Sequence, residues 1–215
     1  MPRSEYELYP DFQAEIDEID RVGISDALLN KIIDKHAANR MYNWNLHKRY
    51  EVLDGEVPIF QRIPRFDEEN PVNNKVNNDF FGEIVDFKTG YFAGKPAVYS
   101  YADTAESKED TGGEEARDEA SKALSDFVTR NNMYDVDMDI TKFAAIAGYA
   151  GRMFYHDTDG NERCMALPSY ETIVLSETSI MEPKYGIRYY KTIGLGGEEI
   201  WKAEFDDGKT IRFYE

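Results

Sequence analysis

The hydrophobic period of this chain turns from mainly helical to strand-like near residue 150, and that change limits the folds open to it. Before it, apolar residues recur at the spacing of a helix face. From Arg152 onward they alternate, which is the spacing of strands. Arg152 to Asp157 and Glu162 to Leu167 flank Thr158-Asp159-Gly160-Asn161, a hairpin turn signal. Glu171 to Ser176, Ile187 to Ile193, Ile200 to Phe205 and Lys209 to Tyr214 continue as strands, with Asp207-Gly208 as a second hairpin turn. Helices first and strands last predict an α+β fold, with N-terminal helices packed on a mainly antiparallel C-terminal sheet.

Residues 71–101 carry the strongest helical signal. Asn77 or Asn78 is expected to cap the helix, since a short polar side chain accepts from a free backbone N–H. Asp79 and Glu83 suit the positive end of the helix dipole. Phe80, Ile84, Phe87 and Tyr91 form an apolar stripe, widened by Phe81, Val85 and Phe92, and that stripe is expected to face the core. Gly94 and Pro96 end the helix, and Ala97 to Tyr101 is expected to be a strand.

Around this stretch, residues 1–23 read as a peripheral N-terminal arm, and residues 24–215 as one domain. Ser25 is expected to cap a helix carrying Leu28, Leu29, Ile32, Ile33 and His36. A second run presents Tyr42, Leu46, Arg49, Tyr50 and Leu53, either continuous with the first or broken near Asn39, and Asp54-Gly55 stops it. Val57 to Phe66, interrupted by Pro58 and Pro64, reads as an irregular or edge strand. Residues 102–113 are small and acidic and read as a mobile loop. A helix then presents Ala116, Ala120, Ala123, Leu124, Phe127 and Val128. Another runs from about Asp135 to Tyr149; Gly148 and Gly151 bracket its end, with Gly151 as the favoured exit.

The chemistry-bearing residues do not assemble into a catalytic motif. The formal net charge of −17 argues against a protein that grips nucleic-acid phosphates, and suits a solvated surface or a lining to which DNA must not adhere. The single cysteine, Cys164, excludes an internal disulfide and a cysteine-based zinc site within one chain. His36, His47 and His156 lack metal-binding spacing; His36 reads as a helix-face residue and His47 as a surface residue. No apolar run approaches the roughly 20 residues of a membrane span, and the chain is expected to be intracellular.

Gly90 to Pro96 has one residue too few between its glycines for a Walker loop, a proline where that loop needs Ser or Thr, and a lysine after the helix rather than before it. Asp135, Asp137 and Asp139 imitate an EF-hand, but Ile140 and Ile146 stand where that loop needs Gly and Glu, so helix capping is the reading. Asp157, Asp159 and Asn161 are explained by a hairpin turn without a metal. Gly194-Leu195-Gly196-Gly197 joins two strands and reads as a turn. No GxSxG elbow is present. No catalytic, cofactor-binding or metal-binding residue is therefore nominated, and no cofactor is expected.

The stretch NNKVNNDFFGEIVDFKTGYFAGKPAVYSY resembles the hallmark of tailed-phage portal proteins, of the type found in long-tailed phages of Gram-positive bacteria. The matching features are Asn73-Asn74-Lys75, the aromatic helix to Tyr91, and Gly90 to Pro96. Arg49-Tyr50 followed by Asp54-Gly55 is similar to the end of that family's first helices. Gly148 to Tyr155 resembles its helix-to-strand step before an acidic hairpin, and Leu167-Pro168 with Ile173 and Val174 resembles the segment after it. The likeness covers most of residues 25–190.

The resemblance implies a non-enzymatic structural subunit. Portal subunits form a ring, a dodecamer when full-length, at one capsid vertex, and double-stranded DNA passes through its channel without sequence-specific binding. The implied partners are the terminase large subunit (which carries the ATPase), scaffold, major capsid protein and head-tail adaptor, with no membrane. The implied location is the virion, with the host cytoplasm during assembly. After Lys191 only strands follow, so the chain is expected to correspond to the N-terminal wing, with the family's stem, clip and crown absent. The alternatives are a metal-dependent nuclease using Asp157 and Asp159, or an acidic interaction module of phage origin.

Overall fold

The computed structural model describes residues 11–51, 59, 75, 78–101, 113–176 and 183–215. Among the described residues, five α-helices precede six strands: α1 (Gln13–Val22), α2 (Asp26–Tyr50), α3 (Phe80–Ala93), α4 (Gly113–Arg130), α5 (Met133–Ala147), β1 (Gly151–His156), β2 (Glu162–Leu167), β3 (Thr172–Leu175), β4 (Tyr185–Ile193), β5 (Glu199–Asp206) and β6 (Ile211–Tyr214). The fold is α+β, as the period change predicts. Its strands form two sheets, the hairpin β1-β2 and an antiparallel meander β3-β4-β5-β6. In the meander, Ile187 pairs with both Ile173 and Phe205, so three apolar residues line up across one buried face.

That face meets Ile16 and Ile19 of α1 and Leu28, Leu29 and Ile32 of α2 in the main hydrophobic core. The peripheral-arm reading of residues 1–23 is therefore corrected from Gln13 onward. Ile16 is completely buried, Lys184 and the Tyr185 hydroxyl each bind the Asp20 carboxylate at 2.6 Å, and Glu15 is buried between Lys31 and Lys35 at 3.1 and 2.9 Å. Burial alone would raise the Glu15 pKa, but the two ammonium groups hold it below the usual value.

Ser25 caps α2 as expected, accepting from the Leu28 amide at 3.3 Å. The helix continues unbroken through Asn39 to Tyr50. The face expected from Tyr42, Leu46, Arg49 and Tyr50 is not the buried one. Asn39, Asn43 and His47 are buried instead, about 100° round the helix. α2 thus spans both halves of the fold, its first half on the meander and its second half against α5 and the 3₁₀ turn Ser169–Glu171.

Several boundaries differ from expectation. Asp79 rather than an asparagine caps α3, accepting from the Gly82 amide at 3.0 Å. Residues 97–101 form no strand; Val98 is exposed, and the Tyr99 hydroxyl donates to Asp137 at 2.5 Å. α5 begins at Met133 and ends at Gly148, whose left-handed φ of 92° lets its amide reach the Ala144 carbonyl. Gly151 instead opens β1. A Cβ there would meet Thr172 Cγ2 at 2.8 Å, so the missing side chain lets the hairpin approach β3 closely. The expected strand at 57–66 and the expected loop at 102–113 fall almost wholly outside the described residues, and Gly113, the last of the loop, opens α4.

Candidate functional site

α3 buries only part of the face expected to meet the core: Val85 is covered as expected, whereas Phe80, Ile84, Phe87, Tyr91 and Phe92 are not. Its inner face consists of Gly82, Val85, Thr89 and Ala93, all buried. These small residues let the helix lie close to α5, and the Thr89 hydroxyl folds back onto the Val85 carbonyl at 2.9 Å. The large residues point the other way. Phe87 is 75% exposed and Tyr91 78%, with Phe80, Ile84 and Phe92 also exposed. The helix is fixed at one edge by the Tyr50 hydroxyl, which donates to Asp86 at 2.7 Å, and by the Arg49 guanidinium, which covers the Phe81 ring at 5.2 Å. A row of aromatic side chains held outward on an anchored helix is the mark of a surface used for contact.

A second apolar surface lies at the other end of α2. Leu29, Ile33 and Met41 of the helix and Tyr189 and Trp201 of β4 and β5 line a groove of about 570 Å³. Arg40 reaches into it, its guanidinium 4.6 Å from the Trp201 ring centre and 5.4 Å from that of Tyr189. Arg40 Nε is buried and makes no hydrogen bond among the described residues.

Between these surfaces runs a buried polar seam that the hydrophobic pattern does not signal. His36 Nδ1 and the Tyr189 hydroxyl share a hydrogen bond of 2.8 Å. The Tyr149 hydroxyl lies 3.1 Å from Asn39 Oδ1 and 3.0 Å from the Ser169 carbonyl, and Asn43 donates to Asn39 Oδ1 at 2.7 Å. Burial pushes His36 down to about 4, the Arg40 cation adding to the effect. His47, expected at the surface, is buried between the rings of Tyr170 and Phe143, and burial pushes it also to about 4. Both rings are therefore neutral at pH 7 and structural, His36 hydrogen-bonded to Tyr189 and His47 packed between aromatic rings.

The remaining sequence features are accounted for locally. Asp157 Oδ1 accepts from the amides of Asp159 at 3.0 Å and Asn161 at 2.9 Å, and Oδ2 binds Arg163 Nε at 2.8 Å. The Asn161 backbone amide and then Arg163 hold its pKa down to about 2. That carboxylate is occupied in closing the β1–β2 turn. Asp137, part of the EF-hand-like run, faces Arg152 and Tyr99 rather than capping a helix. Lys95 is exposed beyond the carbonyl end of α3, where the helix dipole repels an anion. Among the described residues, no group of three or more His, Cys, Asp or Glu is placed to hold a metal ion. No helix among them is long and apolar enough to cross a membrane.

This chain resembles known proteins over nearly its whole length. The chain is 20% identical to the portal protein of Bacillus phage SPP1 over 230 aligned positions, which cover 97% of this chain and 41% of that protein. It therefore spans less than half the length of that curated relative. The family model described as phage portal protein, SPP1 Gp6-like, matches residues 29–214, a range holding α3, both sheets and nearly all of α2. On that match, the chain belongs to the SPP1 Gp6-like family of phage portal proteins.

Proposed function

We propose that this chain is the wing portion of a portal subunit, a structural part of the ring through which phage DNA enters and leaves the capsid. The observation that carries this is the anchored aromatic face of α3, which has no partner within the described fold and lies inside the family match. A subunit whose work is assembly needs such faces, and it needs no converging catalytic groups. The unit includes α1, which is part of the core. The net charge of −17 suits a component past which DNA slides without sticking. In this reading the ring is dodecameric when complete. Its docking partners are the terminase large subunit, scaffold, major capsid protein and head-tail adaptor, and assembly begins in the host cytoplasm. No turnover of nucleotides or nucleic acid is expected of the chain itself.

The test is immunogold labelling of phage particles from the strain carrying the gene, with antibodies raised against this chain. Label confined to a single vertex per capsid is the expected result. Particles without label, or labelled over the whole shell, would overturn the proposal.

A further inference from the structure

The two uncovered apolar surfaces differ in shape and position. One is convex, the row Phe80, Ile84, Phe87 and Tyr91 on α3. The other is concave, the groove of about 570 Å³ with Leu29 and Tyr189 as its floor and the half-exposed Met41 and Trp201 as its walls. α2 separates them. The groove ends near Met41, and α3 is attached at Tyr50, roughly 14 Å further along the helix axis. A protein that joins copies of itself head to tail needs two unlike, complementary patches on different sides. This chain carries such a pair.

Charge agrees with shape. Asp26 and Asp34 lie along the helix wall of the groove, Lys202 lies on its sheet wall with Glu215 at the chain's last position beside it, and Arg40 lies inside, its Nε without a hydrogen bond among the described residues. The aromatic row of α3 is flanked by Lys88 on one side and Glu83 on the other, given the helical spacing of those positions. Laid in the groove in one orientation, Lys88 meets the acidic wall and Glu83 meets Arg40 and Lys202. The reversed orientation opposes like charges. The exposed parts of the four side chains offer roughly 500 Å², against about 800 Å² per partner in a stable interface. That is enough for the central apolar patch of one.

We propose that the aromatic face of α3 docks into the α2–sheet groove of a second copy of this chain, head to tail. This rests on the ring reading above and names the surfaces that would join neighbouring wings.

Sedimentation velocity of the full chain, from micromolar to submillimolar concentration, tests it. The wild-type chain should self-associate. Phe87→Asp on the convex face and Met41→Asp on the groove wall should each weaken association at least about tenfold. Both positions are exposed, so circular dichroism and melting should be unchanged. Mixing the two variants should restore complexes of two chains and no larger, because each retains the face the other lacks. A monomeric wild-type chain would overturn the proposal. So would a Met41→Asp variant that assembles like wild type, since it would place the contact between α3 helices instead. A monomeric chain together with single-vertex labelling would remove this interface and leave the portal reading standing. Head-to-tail assembly without vertex labelling would do the reverse.

Discussion

His47 sits between the rings of Tyr170 and Phe143 with a buried Nε2 that makes no hydrogen bond among the described residues. Its cost becomes visible in acid. The folded pKa of about 4 lies below the unfolded value of about 6.5, so the folded state binds fewer protons. Stability is then complete above about pH 6.5 and falls as pH drops toward 4. His36 behaves the same way. Between pH 7.5 and pH 5 each histidine should cost about 2 kcal/mol. Glu171, which burial raises, works in the opposite direction and offsets part of the loss. Glu15 and Asp157, held low, lose their contributions only at more acid pH. His47→Phe should change stability at pH 7.5 by no more than about 1 kcal/mol, because the aromatic pocket accepts a phenyl ring. The same variant should remove roughly half of the acid loss, read from urea melts at the two pH values. An unchanged acid loss would place its cause elsewhere.

At the level of the element, α3 makes opposite demands on its two faces. Val85 is 1% exposed against the helical layer, whereas Phe87 stands out in solvent. Val85→Ala should cost about 2 kcal/mol, from lost burial and the cavity left behind. Phe87→Ala should stay within about 0.5 kcal/mol when measured at dilute, monomeric concentration. Chemical denaturation of the two variants side by side checks this; a larger cost at Phe87 than at Val85 would mean that the aromatic row packs inward after all. The hairpin β1-β2 illustrates the other kind of element. Its ends are set locally by Asp157, Gly160 and Asn161, but Gly151 is required because Thr172 of the neighbouring sheet lies where a Cβ would stand.

For the whole molecule, α1 and α2 close the meander, and the long α2 ties that core to the α3–α5 layer. Removing the first helix should therefore be felt globally. Ile16→Ala, at a fully buried site, should destabilise the chain by about 3 kcal/mol in equilibrium denaturation. A neutral result would return this segment to the status of an arm.

The residues by themselves determined whatever depends on neighbours along the chain. The change of hydrophobic period near residue 150 located the boundary between helices and strands, and the turns at Asp159-Gly160 and Asp207-Gly208 follow from local backbone geometry. Ser25 was legible as a cap for the same reason. The order of motifs also carried the family likeness. What only the tertiary structure decided was which side of each helix is covered. Hydrophobic periodicity marks an apolar stripe but not whether another part of the chain reaches it. On α3 the small residues allow the closest approach to α5, so the helix packs on Val85 and Thr89 and leaves the larger aromatic face outside. On the second half of α2 the buried stripe is Asn39, Asn43 and His47, because Tyr149, Tyr170 and the Ser169 carbonyl come from distant residues to meet it. No local pattern encodes such partners, and the candidate interface on α3 became visible only once the packing had left it uncovered.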